Sequence, residues 1–143
     1  MKLIHLFVLI ATLSLSARSS AAEASVPPVV MEGFQELQKN GTLAAMAVWF
    51  AGSARENDEV QDRASAKMTS IQGLFGRVLG YELIRTVLLS VSTERVYVAV
   101  KFEKGVAWMS FDCYKPETKW IICRFDFGTN ANLVLPPNIL GGQ

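Results

Sequence analysis

The sequence predicts an α+β domain in which N-terminal helices pack on the concave face of a curved four-stranded antiparallel sheet. Three observations predict it. Apolar residues recur at three- and four-residue spacings as far as Phe75, and at two-residue spacings from Tyr81 onward. Asn40-Gly41, Gly52-Ser53 and Gly76 punctuate the first stretch, whereas Lys104-Gly105 and Lys115-Pro116-Glu117-Thr118 punctuate the second. Half of the 143 residues are apolar, with 14 basic against 13 acidic side chains, the composition of one globular domain rather than of a disordered tail.

Residues 1–24 read as a secretory signal. Lys2 supplies the positive start, Leu3 to Leu15 is almost wholly apolar, and Ala22-Glu23-Ala24 presents small residues where a signal peptidase reads them. Cleavage after Ala24 starts the mature chain at Ser25; cleavage after Ala21 or Ala22 is also compatible with the pattern. The apolar run of about 13 residues falls short of the roughly 20 that span a bilayer. The expectation is therefore a secreted or periplasmic protein with no stable membrane anchor.

Losing Lys2, Arg18 and Glu23 leaves twelve charges of each sign. A neutral chain has no broad electrostatic attraction for nucleic acid or anionic lipid. The one histidine, His5, lies in the leader, so the mature chain has no imidazole for a catalytic triad or a metal site. Gly-rich phosphate loops, serine elbows and metal-spaced carboxylates are also absent from the sequence. No cofactor and no metal are expected.

Residues 25–130 form the predicted domain. Val30, Phe34 and Leu37 mark the first helix, stopped at Asn40-Gly41. Thr42 is the expected cap of a second helix with Leu43, Met46, Ala47 and Phe50 on one face and Trp49 beside it. Asn57 is the expected cap of a third, whose stripe is Val60, Ala64, Met68, Ile71 and Phe75, and Gly76 closes it. Four strands follow at about 80–90, 94–103, 106–115 and 119–128. A Lys104-Gly105 turn sets Val96, Val98 and Val100 against Cys113, Phe111 and Met109, all apolar pairs. The next turn, centred on Glu117, sets Cys113 against Ile121 and Phe111 against Cys123. Both thiols then share the inner face on a diagonal of about 7–8 Å, beyond the 4.4–6.8 Å range of a disulfide, so two free buried thiols are expected. Residues 131–143 read as a loosely packed tail.

The opposite sheet face carries Tyr97, Trp108, Asp112, Tyr114 and Arg124, with Trp120 and Ile122 beside them. It places Tyr97 opposite Asp112, Lys101 opposite Trp108 and Ser110 opposite Arg124. Cross-strand charge pairs on a solvated face are one reading. A homodimer interface is the other, because two Trp and two Tyr exceed the usual scatter of exposed aromatics.

The chain resembles the nuclear-transport-factor-2-like (cystatin-like) superfamily, and more narrowly its exported bacterial members. Phe34-x-x-Leu37, Gly41-Thr42-Leu43-Ala44-Ala45-Met46-x-x-Trp49-Phe50, Phe75-Gly76-x-x-x-Gly80-Tyr81-Glu82 and the meander from Val96 to Phe127 carry the likeness. The resemblance implies a pocket between helices and sheet, where Arg85, Tyr81 and Trp49 are the candidate ligand-binding residues for a small apolar or carboxylate ligand. Strand one leaves two orientations open: Arg85 faces the pocket with Tyr81, Leu83, Val87 and Leu89, or Glu82, Ile84, Thr86 and Leu88 face it and Arg85 meets water. The function expected is non-catalytic, by ligand binding or self-association. The rival is a histidine-independent isomerase or dehydratase with Asp112 or Asp126 as base.

Overall fold

The computed structural model describes residues 25–141; the leader expected at residues 1–24 lies outside them. Pro28, at the first position where a missing N–H costs nothing, opens α1 (Pro28–Lys39). Gly41 takes φ 88°, a backbone that favours glycine, and α2 (Thr42–Phe50) starts directly after it. Thr42 is thus the first helical residue and not the cap, and its hydroxyl donates to Gln72 Oε1 at 3.2 Å. The buried face of α2 is Thr42, Ala45, Met46, Trp49 and Phe50, rotated from the expected one, with Leu43 and Ala47 exposed. A helix apolar on nearly every side has no stripe of its own, so contact with α1 selects the face. Asn57 caps α3 (Asp58–Phe75) by accepting from the Val60 N–H at 2.9 Å, and Met68 and Ile71 reach the core as the spacing predicts.

The sheet is a meander of β1 (Val78–Ser90), β2 (Thr93–Phe102), β3 (Gly105–Tyr114) and β4 (Ile121–Gly128), paired in that order and antiparallel throughout. The helices pack on one face of it. The β2–β3 turn is Glu103-Lys104 and not Lys104-Gly105, so Val96, Val98 and Val100 face Phe111, Met109 and Ala107. The slip is two residues, which changes partners but keeps every side chain on its predicted face. Anchoring to the end of α3 sets it. The Lys104 N–H donates to the Phe75 carbonyl at 2.9 Å, Arg77 Nε donates to Glu103 Oε1 at 3.1 Å, and a side chain at Gly105 would come within 2.8 Å of the Phe75 ring.

Between the layers lies an aromatic core. Trp49 sits 5.1 Å from Phe34, 5.3 Å from Phe111 and 5.3 Å from Phe125, centre to centre, and Phe111 stacks on Phe125 at 5.0 Å. These rings occupy the centre of the space where the resemblance implies a pocket.

In β4 the order of faces changes. Asp112 pairs with Arg124 but Cys113 pairs with Ile122, which leaves Cys123 as the extra residue of a bulge. Ile122 is therefore in the core, and Cys123 is exposed while Cys113 is buried. Both thiols are free, as expected, but they do not share the inner face. The C-terminal segment is also more tightly held than a loose tail: α4 (Ala131–Val134) lies against β3 and β4, and Leu135 is buried.

Candidate functional site

β1 is an edge strand of thirteen residues. Its pairing with β2 skips Leu79, Ile84 and Leu89, so the strand carries three bulges. Between them, Val78, Tyr81, Leu83, Thr86 and Leu88 pair with the core-facing residues of β2, and Gly80, Glu82, Arg85 and Val87 pair with its outward residues. Neither uniform orientation of strand one holds, because the Ile84 bulge switches the phase between Leu83 and Arg85. Tyr81 faces the helices and stacks on Phe34 at 4.3 Å, whereas Arg85 lies exposed on the other face beside Tyr97.

The helices cover β1 around Tyr81 and leave the rest of its inner side open. Leu83 and Leu88 point to the helix side of the sheet yet remain 51% and 58% exposed. Leu79, Ile84, Leu89 and Val91 add further exposed apolar surface along the same edge. Glu82 and Arg85 are the strand's two charged residues, both outward. Proline, lysine and inward charges are missing from β1, and among the described residues its guards are the bulges and the outward Glu82 and Arg85.

The candidate ligand-binding residues are not brought together. Trp49 is wholly buried, and its indole N–H donates to the Val30 carbonyl at 3.2 Å. Tyr81 is half-buried over Phe34, and Arg85 is on the far side of the sheet.

The expected interface face is likewise reorganised by register. Tyr97 faces Ser110 and not Asp112, Lys101 faces Val106 and not Trp108, and Ser110 faces Asp126 and not Arg124. Asp112 instead faces Arg95, which donates through Nε and, at 2.7 Å, through Nη2. This pairing raises the guanidinium's affinity for its proton above the ordinary arginine value, chiefly through the hydrogen bond to Asp112. Arg124 donates to Asp126 at 2.7 Å. Tyr97 is 4% exposed, lining a cavity of about 70 Å³ that Leu133 and Val134 of α4 also line. Trp108 is half-buried, and Tyr114 and Arg124 are exposed. The chain's own α4 thus lies against β3 and β4 beside the face that the sequence offers to a partner.

Both carboxylates proposed as a base, Asp112 and Asp126, are held by arginines. The perturbed carboxylate is a different one. Glu94 is 7% exposed on the inner face, opposite Cys113, with Oε2 buried and lacking a hydrogen-bond partner among the described residues. Burial pushes its carboxyl above the ordinary value, partly offset by Lys115. Its place was readable in the sequence, since Glu94 shares the alternation of Val96, Val98 and Val100. Thr86 Oγ1, on the same face, is also buried and unpartnered there. Burial pushes the Cys113 thiol up to about 12.

Trp120, expected on the outer face, packs beside the core and lines an open groove of about 640 Å³ between α1, α2 and the β3–β4 turn, with Pro28, Val29, Val48, Lys119 and Ile121. Lys115 Nζ lies 5.1 Å from the centre of the Trp120 ring. Among the described residues no group of three or more His, Cys, Asp or Glu could hold a metal ion, and no helix is long and apolar enough to cross a membrane.

No family model matches the chain, and neither does any curated protein or solved structure.

Proposed function

We propose that this chain is an exported, non-catalytic association module that binds protein through the β1 edge and the apolar strip beside it. Leu83 and Leu88 carry the reading: two leucines turned toward the helix layer on a strand that the layer covers only around Tyr81, next to backbone donors and acceptors with no strand beyond them among the described residues. Such an edge takes an added strand through main-chain hydrogen bonds, with the side chains of alternate residues supplying grip. The composition of residues 1–24 supports export, and the order of helices and meander supports kinship with the nuclear-transport-factor-2-like superfamily. The test is a photoreactive amino acid placed at Leu88 or at Glu117 in producing cells. A discrete protein adduct from Leu88 alone, on a chain whose mass begins at Ser25, is the expected result. Equal adducts from both positions, or none, overturn the association reading.

A second reading rests on the Trp120 groove. Its apolar walls suit a small apolar chain, and the Lys119 ammonium, with Glu32 also in the lining, offers the one cation for an acid head. Trp120→Phe would abolish quenching of the protein's fluorescence by decanoate if the groove binds it; unchanged quenching removes this reading.

A further inference from the structure

We infer that the partner for the β1 edge is a second copy of this chain, paired antiparallel about a two-fold axis at Leu83. The inference rests on the association reading above and adds the partner and its register. Counted along the ladder with β2, Leu83 is the midpoint between Val78 and Leu88, because the bulged Leu79 and Ile84 drop out of the count. An isologous pair requires that each residue meet one from its own face. Centred on Leu83, this register sets Val78 against Leu88 and Tyr81 against Thr86 on the inner face, with Leu83 against its own counterpart. On the outer face it sets Gly80 against Val87 and Glu82 against Arg85.

The charges decide between this register and its neighbours. Glu82 and Arg85 lie one on each side of Leu83 and share the outer face. A two-fold axis there gives two identical Glu82–Arg85 ion pairs, one on each side of the axis. Moving the axis to Glu82 or Arg85 would set like charges face to face. Lys101 Nζ occupies one oxygen of Glu82 at 2.6 Å, and the side chain is still 63% exposed. On the inner side the pairing sets Val78 and Leu83 of one copy among Leu88 and Leu83 of the other, so the apolar strip covers itself.

Three measurements on residues 25–143 test this. Sedimentation of the wild type is expected to give a dimer at about 100 μM, and E82R and R85E are each expected to weaken it about tenfold by bringing like charges together. An equimolar mixture of E82R and R85E is expected to recover a heterodimer, since one chain then carries two arginines at these positions, the other two glutamates, and both cross-strand pairs are again of opposite charge. In a C123S background, L83C is expected to oxidise to a covalent dimer, because facing residues in an antiparallel pair lie within disulfide range, about 4.5–5.5 Å. T86C in the same background is the control, its two thiols being about four residues apart along the strands, ~13 Å. A monomeric wild type overturns the inference, and so does a mixture that fails to pair or an L83C that links no better than T86C. A monomer that still gives the Leu88 adduct to another protein overturns the second copy while leaving the association reading in place.

Discussion

Cys113 and Cys123 lie on opposite faces of the same strand pair: Cys113 is in the core against Ile122, and Cys123, the bulged residue, donates its thiol to the Asp112 carbonyl at 3.1 Å. One inserted residue separates two sulfurs that regular pairing would place on one face. A bridge between them would need the bulge removed and Ile122 taken out of the core. An oxidising compartment would therefore not by itself join them.

Thiol reactivity follows from this. Ellman's reagent at pH 8 is expected to label one thiol of the native protein quickly, and C123S is expected to remove that label. Cys113, buried and pushed up to about 12, is expected to react only after unfolding in guanidinium. Fast labelling of C123S in the native state, or no free thiol in the unfolded protein, would contradict the bulge.

Glu94 imposes a pH dependence. Its carboxyl is raised in the fold relative to the unfolded chain, so its contribution favours the fold below the unfolded carboxyl value and is lost as pH rises through the higher folded one. When ionised, the carboxylate leaves a buried oxygen unpartnered among the described residues. Glu94→Gln is expected to stabilise the protein at pH 7 by about 1 kcal/mol, to gain less at pH 4, and so to flatten the curve of urea midpoint against pH. An E94Q variant less stable than wild type at pH 7 would show that Glu94 has a partner in solution.

Two helical glycines are expected to respond in opposite directions. A methyl group at Gly33 would fall 1.9 Å from Trp49 Nε1, at the closest approach of α1 and α2. Gly33→Ala is expected to cost about 3 kcal/mol, the upper end for overpacking a core. Gly73, in α3, has nothing within 4 Å of the same position, and Gly73→Ala is expected to gain about 0.5–1 kcal/mol through lower chain entropy. Urea unfolding of both variants checks the pair; a tolerated Gly33→Ala would mean that α1 and α2 lie further apart at this crossing.

The alternation of Val96, Val98, Val100 and Phe102, and the stripe from Val60 to Phe75, were enough to place the meander and the third helix. Such periods arise locally: a strand puts every second residue on one face, and a helix every third or fourth. For the same reason the sequence separates the faces of β2 and β3 correctly even though the turn between them falls one residue earlier than its Lys104-Gly105 pattern predicts. The helix face of α2, the bulges at Ile84 and Cys123, and the burial of Tyr97 beside α4 were decided elsewhere. Each depends on which distant residue fits: Gly33 making room for Trp49, the Phe75 carbonyl holding the turn at Lys104, Leu133 and Val134 lining the cavity beside Tyr97. A bulge leaves no mark on composition, yet it turns every following side chain over, and this is why Arg85 and Cys123 could be located only once the strands were paired. Residue order determined the layers and their apolar sides; three-dimensional packing determined which part of β1 the described helices cover.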